Sequence, residues 1–230
     1  MNQPFPTTYE AAGELRAVRN RVLRNTYWLL ALSMIPTVLG AAIGVQLNFS
    51  FMSGSPFLGF ILFMAVAFGF FYAIERTKNS ALGVAILLGF TFFMGLMLSR
   101  IIGHTLSFAN GPQLIMTAFG GTAIVFATMA SIATTSKRDF SGMSSWLFAG
   151  MIVILLAAVA NIFLQMPALM IVISAIAVVI FSAYILFDVQ RIVNGGETNY
   201  ITATLAIYLD IYNVFVNLLA LLGIFGGERE

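Results

Sequence analysis

An all-α integral membrane protein with seven transmembrane helices is the fold class this chain predicts, and three observations predict it. Of its 230 residues, 60% are hydrophobic and 9% charged, whereas a soluble domain carries about 25% charge. Mean hydropathy is +0.97. Seven apolar runs of about 20 residues, the length that crosses a bilayer core, are separated by short polar connections.

The runs are expected near 26–46, 56–74, 81–99, 113–134, 144–164, 168–188 and 201–225. The first follows a basic segment and is long enough to span, so it reads as a signal anchor and not a cleaved signal peptide. Residues 1–25 form an N-terminal segment in which Leu15, Val18 and Val22 alternate with arginines. Two readings stand: an amphipathic helix on anionic lipid, or a tail whose arginines only set topology. Pro36 falls inside the first span, and in a bundle neighbouring groups can satisfy the carbonyl it frees. Gly40 and Gly44 make a GxxxG pattern, which serves internal packing or dimerisation. Gly120-Gly121 lies in the fourth run, and Asn161 in the fifth reads as a packing hydrogen bond. The fifth and sixth runs meet across Gln165-Met166-Pro167, a tight helical hairpin. Residues 26–225 form one transmembrane domain and 226–230 a short external tail.

Orientation follows from the basic residues. Arg16, Arg19, Arg21, Arg24, Arg76, Lys78, Lys137, Arg138 and Arg191 fall on one side, nine of the eleven; Arg100 and Arg229 fall on the other. The N-terminus is therefore expected in the cytoplasm and the C-terminus outside. The chain has no Cys and a single His, His104, placed in an external loop. A zinc or iron site is not expected, nor is a nucleic-acid partner. No cofactor is expected, and a monomer is the favoured state.

Asp188 and Asp210 stand out because they lie in or at the edge of apolar runs. An ionised carboxylate in hydrocarbon costs roughly 2.5–3.5 kcal/mol on insertion scales, and such groups usually face a bundle interior or a wet cavity. Asp188 closes the sixth run. Asp210 lies about ten residues into the seventh, on the order of 15 Å from the cytoplasmic surface. The two helices are joined by a short turn and run antiparallel. Asn213 and Asn217 share a helical face with Asp210, and Tyr184 and Arg191 share one with Asp188. A polar cavity open to the cytoplasm is expected between them.

If the carboxylates approach closely, both cannot ionise easily, and they titrate as a coupled pair. A shared proton would make them a pH-dependent latch that full ionisation opens. The plainer readings are local neutralisation of Asp188 by Arg191, and a buried protonated Asp210. Arg76, beside Glu75, is either a cationic partner of the pair or a topology anchor. An anionic cavity attracts Ca²⁺, but that ion takes six to eight oxygens, so a Ca²⁺ site at Asp188 and Asp210 would be weak or transient. An intramembrane aspartyl protease is disfavoured: Pro167-Ala-Leu169 precedes the two aspartates, and Asp210 follows Tyr-Leu. No enzymatic activity is expected.

The segments Phe187-Asp188, Gly195-Gly-Glu-Thr-Asn-Tyr200 and Tyr208-Leu-Asp210-Ile-Tyr-Asn213 resemble the Bax inhibitor-1 family of transmembrane proteins. The bacterial branch is most similar, close to the modulators of the membrane-bound FtsH protease, through Leu23-Arg-Asn-Thr-Tyr27, Gly120-Gly-Thr-Ala123 and Asn161-Ile-Phe-Leu-Gln165. The resemblance implies six helices surrounding a central seventh. It implies a bacterial inner-membrane location and a pH-sensitive Ca²⁺ leak regulated by the aspartates at positions 188 and 210. It also implies an arginine on the second helix that holds the closed state, with Arg76 the nearest position. The alternative function it offers is a non-enzymatic binding partner of a membrane-bound AAA protease.

Overall fold

The computed structural model describes residues 8–49 and 56–227, with α1 side chains described from residue 17. Arg229, with the last three residues of the tail, lies outside the described residues. Seven α-helices follow in order: α1 Thr8–Gln46, α2 Pro56–Thr77, α3 Ala81–Leu106, α4 Gly111–Thr135, α5 Ser144–Leu164, α6 Pro167–Val193 and α7 Tyr200–Gly226. A single 3₁₀ turn, Ser141–Met143, precedes α5. All seven are long and apolar enough to cross a membrane.

Two helices are longer than the apolar runs alone suggest. α1 runs without interruption from the basic segment into the first span and through Pro36, because arginine is a good helix former and hydropathy registers only the apolar part. α3 continues to Leu106 and takes Arg100 and His104 into its last turns. His104 is therefore helical, not in a loop, and its ring meets Phe108 edge-on.

The helix ends have local causes. Pro112 and Pro167 occupy first-turn positions of α4 and α6, where a missing N–H costs nothing. The α5–α6 hairpin turns at Gln165, whose φ is +50°. Asn161 holds it by accepting from the Met166 amide at 3.0 Å.

α7 packs against α1, α2, α3, α4 and α6, while α5 lies against α6 and the 3₁₀ turn. The closest approach is α1 on α3. A Cβ on Gly40 would strike the Phe92 carbonyl, one on Gly44 the Ser99 side chain, and one on Gly95 the Thr37 carbonyl. The GxxxG of α1 thus serves packing inside the bundle. Gly120 faces open space and Gly121 meets Leu218 of α7. Leu87, Phe90, Ile185, Val189, Ile207 and Val214 are fully buried, whereas Trp28, Phe119 and Trp146 point outward, as suits helices solvated by lipid.

Both ends of the bundle are tied by polar contacts. At the basic end, Asn199 Nδ2 donates to Lys78 O (2.9 Å) and Asn79 Oδ1 (2.9 Å). Gln190 Nε2 donates to Arg138 O (2.6 Å), and Arg19 Nη1 donates to Val193 O (3.0 Å). At the opposite end, Asn110 Nδ2 donates to Gly226 O at 2.6 Å. The α2–α3, α4–α5 and α6–α7 connections therefore gather at the end where α1 begins.

Candidate functional site: a carboxyl pair beneath a charged mouth

The α6–α7 connection positions the site. After α6, Gly195 takes φ +80°, a left-handed conformation that favours glycine. The Gly196 and Glu197 amides then fold back onto Arg191 O, at 2.8 and 3.1 Å. Asn199 caps α7 by accepting from the Ile201 (2.9 Å) and Thr202 (3.2 Å) amides, satisfying donors that a helix start leaves free. This compact loop forces α6 and α7 to run antiparallel side by side.

Asp188 and Asp210 face each other across the two helices, their carboxyl groups within hydrogen-bonding reach. Asp210 is buried, at 5% exposure, and its Oδ2 has no hydrogen-bond partner among the described residues. Asp188 is 13% exposed and lies 3.8 Å from Arg191 Nη1. Arg191 makes its shorter contact elsewhere, with Nη2 2.9 Å from Glu197 Oε2. Glu197 is held in turn, its Oε1 accepting from the Thr198 (2.9 Å) and Asn199 (2.8 Å) amides. Tyr184, half-buried one turn before Asp188, is within electrostatic reach of both aspartates. A hydrogen bond between two carboxyl groups needs a proton on one of them, so the pair can store one proton between α6 and α7.

A cavity of about 340 Å³ opens at the basic end, lined by Glu75, Lys78, Asp188, Arg191, Glu197 and Thr202 together with two alanines. Its membership differs from the polar stripes expected along α6 and α7. Asn213 and Asn217 turn to their own helix, each Nδ2 donating at 2.8 Å to a carbonyl one turn back, Leu209 O and Asn213 O. Those bonds use one N–H of each amide, and neither residue lines the cavity. Arg76 is exposed, its guanidinium 6.0 Å from the Tyr72 ring centre, while the cations on the cavity are Lys78 and Arg191. Lys78 pairs with Glu75 three residues back.

Lys78 and Glu197 were not singled out as site residues by the sequence, and neither were the ties of Arg19, Gln190 and Asn199. Only Glu197 left a trace, as a carboxylate six residues beyond Arg191 in a glycine-rich turn. Arg19, Gln190 and Asn199 act through contacts between residues 50 to 174 positions apart, which no local pattern encodes. Lys78, though paired with Glu75 three residues back, reaches the cavity only through the fold. Among the described residues, no group of three or more His, Asp or Glu is placed to hold a metal. Two carboxylates supply fewer oxygens than the six to eight that Ca²⁺ takes.

Seven apolar helices that enclose a carboxyl pair define a multi-pass membrane protein with a polar site inside its bundle. The chain belongs to the Bax inhibitor-1 family: residues 19–227 match the family model described as inhibitor of apoptosis-promoting Bax1. It is 41% identical over 204 residues to the modulator of FtsH protease YccA of Escherichia coli K12, covering 89% of this chain and 90% of that one. It is likewise 41% identical over 204 residues to the inner membrane protein YccA of Escherichia coli O6:H1, covering 89% of this chain and 90% of that one. An uncharacterized membrane protein of Vibrio cholerae is 36% identical over 224 residues, 97% of this chain and 98% of its own.

Proposed function

We propose that this protein is a pH-sensitive cation leak of a bacterial inner membrane, with Ca²⁺ as its cargo and Asp188 and Asp210 as its latch. The observation that carries the reading is the approach of these two carboxyl groups, within hydrogen-bonding reach of each other, beneath a charged cavity. While one proton is shared, α6 and α7 are held together; Val214, one turn beyond Asp210 on α7, is fully buried. When that proton is lost, two like charges face each other in a low-dielectric site and push the helices apart. Tyr184 is within electrostatic reach of both carboxylates, and Arg191 steadies Asp188 from outside. The path calls for no catalytic step and no resident metal. In this reading the end where the basic residues gather, and with it the N-terminus, faces the cytoplasm, as the bias of basic residues toward cytoplasmic loops favours. The protein acts as a monomer in this reading. Replacing either aspartate by Asn is expected to change Ca²⁺ flux and remove its pH dependence; flux equal to that of empty liposomes at every pH would refute the proposal.

A second reading draws on the relative named a modulator of FtsH protease: a non-enzymatic partner that restrains a membrane-bound AAA protease of the FtsH type. The helical extension of α1 before the span is the element a cytoplasmic partner would grip. Deleting residues up to Glu14 should then alter the protease's activity or this protein's turnover in cells. No change in either would exclude that grip.

A further inference from the structure

We propose that two internal ion pairs at the mouth of the cavity, Arg191–Glu197 and Lys78–Glu75, form a charge-neutralising collar. The collar sets how strongly the cavity draws cations toward Asp188, so Arg191 and Lys78 hold the leak down. The inference rests on the cation-leak reading above and adds to it the residues that govern cation supply.

The cavity lining carries three carboxylates, Glu75, Asp188 and Glu197, and two cations, Lys78 and Arg191. The excess is one negative charge, and none when the shared proton sits on Asp188. Each cation has a carboxylate of its own. Lys78 holds Glu75 from the end of α2, and Arg191 holds Glu197 at 2.9 Å. These groups are partly exposed: the Lys78 and Glu75 side chains are 34% and 62% accessible. A pair so exposed contributes little to stability, whereas Glu197, 17% accessible, is held more firmly.

The geometry keeps the pairs in place. Asn199 bonds to Lys78 O and Asn79 Oδ1, which ties the α6–α7 loop to the α2–α3 turn across the mouth. Glu197 cannot follow Arg191 inward, because its other oxygen takes the Thr198 and Asn199 amides. Arg191 also lies 3.8 Å from Asp188, at the long end of ion-pair distance, so its charge faces any cation that approaches that carboxyl. Charges in a cleft with low-dielectric walls alter local counter-ion concentration by about 10- to 1,000-fold, and screening sets in beyond about 8 Å at physiological salt.

The collar makes a sign rule that a structural role does not. In proteoliposomes at low salt, Arg191→Gln and Lys78→Gln should each raise Ca²⁺ influx by about three- to tenfold. Glu197→Gln and Glu75→Gln should each lower it, since each leaves a cation uncompensated. The double variant Arg191→Gln/Glu197→Gln should return close to the native rate, and all these differences should shrink at high salt. Glutamine at 197 still accepts from the Thr198 and Asn199 amides, so the loop is kept. If Arg191→Gln and Glu197→Gln shift influx in the same direction, or neither shifts it while Asp210→Asn still removes pH dependence, the collar is wrong and the leak reading survives. If no variant conducts above empty liposomes, the leak reading fails, and the collar is judged by Tb³⁺ luminescence. Tb³⁺ should then bind more tightly to Arg191→Gln and less tightly to Glu197→Gln than to the native protein; equal binding would overturn the collar.

Discussion

The hydroxyl groups of Thr37 on α1 and Tyr208 on α7 meet at 2.9 Å in the buried centre of the bundle. Tyr208 precedes Asp210 by two residues, roughly 200° around the helix, so α7 is bonded to α1 on one face and to α6 on the other. Tyr212 adds a bond to Met94 O of α3 at 3.2 Å. Removing one hydroxyl, as in Tyr208→Phe, should cost about 0.6–1.5 kcal/mol, because Thr37 keeps its bond to Ser33 O. Thermal unfolding in detergent should show a fall of about 2–4 °C per kcal/mol, without loss of the helical signal.

The glycines of the bundle separate into two kinds. Gly95→Ala should cost about 1–3 kcal/mol, since its new methyl would run into the Thr37 backbone carbonyl of α1. Gly120→Ala meets open space and should be neutral or stabilising by up to about 1 kcal/mol through helix propensity. Melting temperatures of the two variants check the contrast.

Gln190 clips the α4–α5 connection onto α6. It is 4% exposed, donating to Arg138 O at 2.6 Å and accepting from the Phe140 amide at 2.7 Å. Gln190→Ala should cost about 1–3 kcal/mol and free the connection. Lys137 and Arg138 are exposed there, so limited trypsin digestion should cut the variant faster at these sites than the native protein.

In the same connection, Asp139 accepts from the Ser141 amide and hydroxyl, both at 2.9 Å. These bonds, the amide first, hold its carboxyl below the ordinary aspartate value. A lowered carboxyl contributes stability above its unfolded value and loses it as pH falls through the folded one. The turn at Ser141–Met143 should therefore loosen only in acid. A carboxyl NMR titration should place Asp139 below a free aspartate, and Ser141→Ala should move it back up.

Much of this architecture was legible. All seven runs became helices, and the hairpin at Gln165-Met166-Pro167 fell where expected, because hydrophobic length is encoded locally. The start of α1 and the end of α3 were not, since both pass through charged residues that favour helix without favouring lipid. Asp188 and Asp210 were conspicuous as carboxylates in apolar runs, and the structure brings them together. Their surroundings were less readable. Asn213 and Asn217 share the right face yet each donates to a carbonyl of its own helix, while Lys78 reaches the cavity from a turn more than 100 residues before Asp188.

The latch is tested most directly by Ca²⁺ influx into proteoliposomes at pH 6, 7 and 8, comparing the native protein with Asp210→Asn. The account predicts native influx that rises as the shared proton is lost with increasing pH, and a variant whose influx is the same at all three values. Influx that is independent of pH in the native protein, or a variant that keeps the native pH profile, would contradict it.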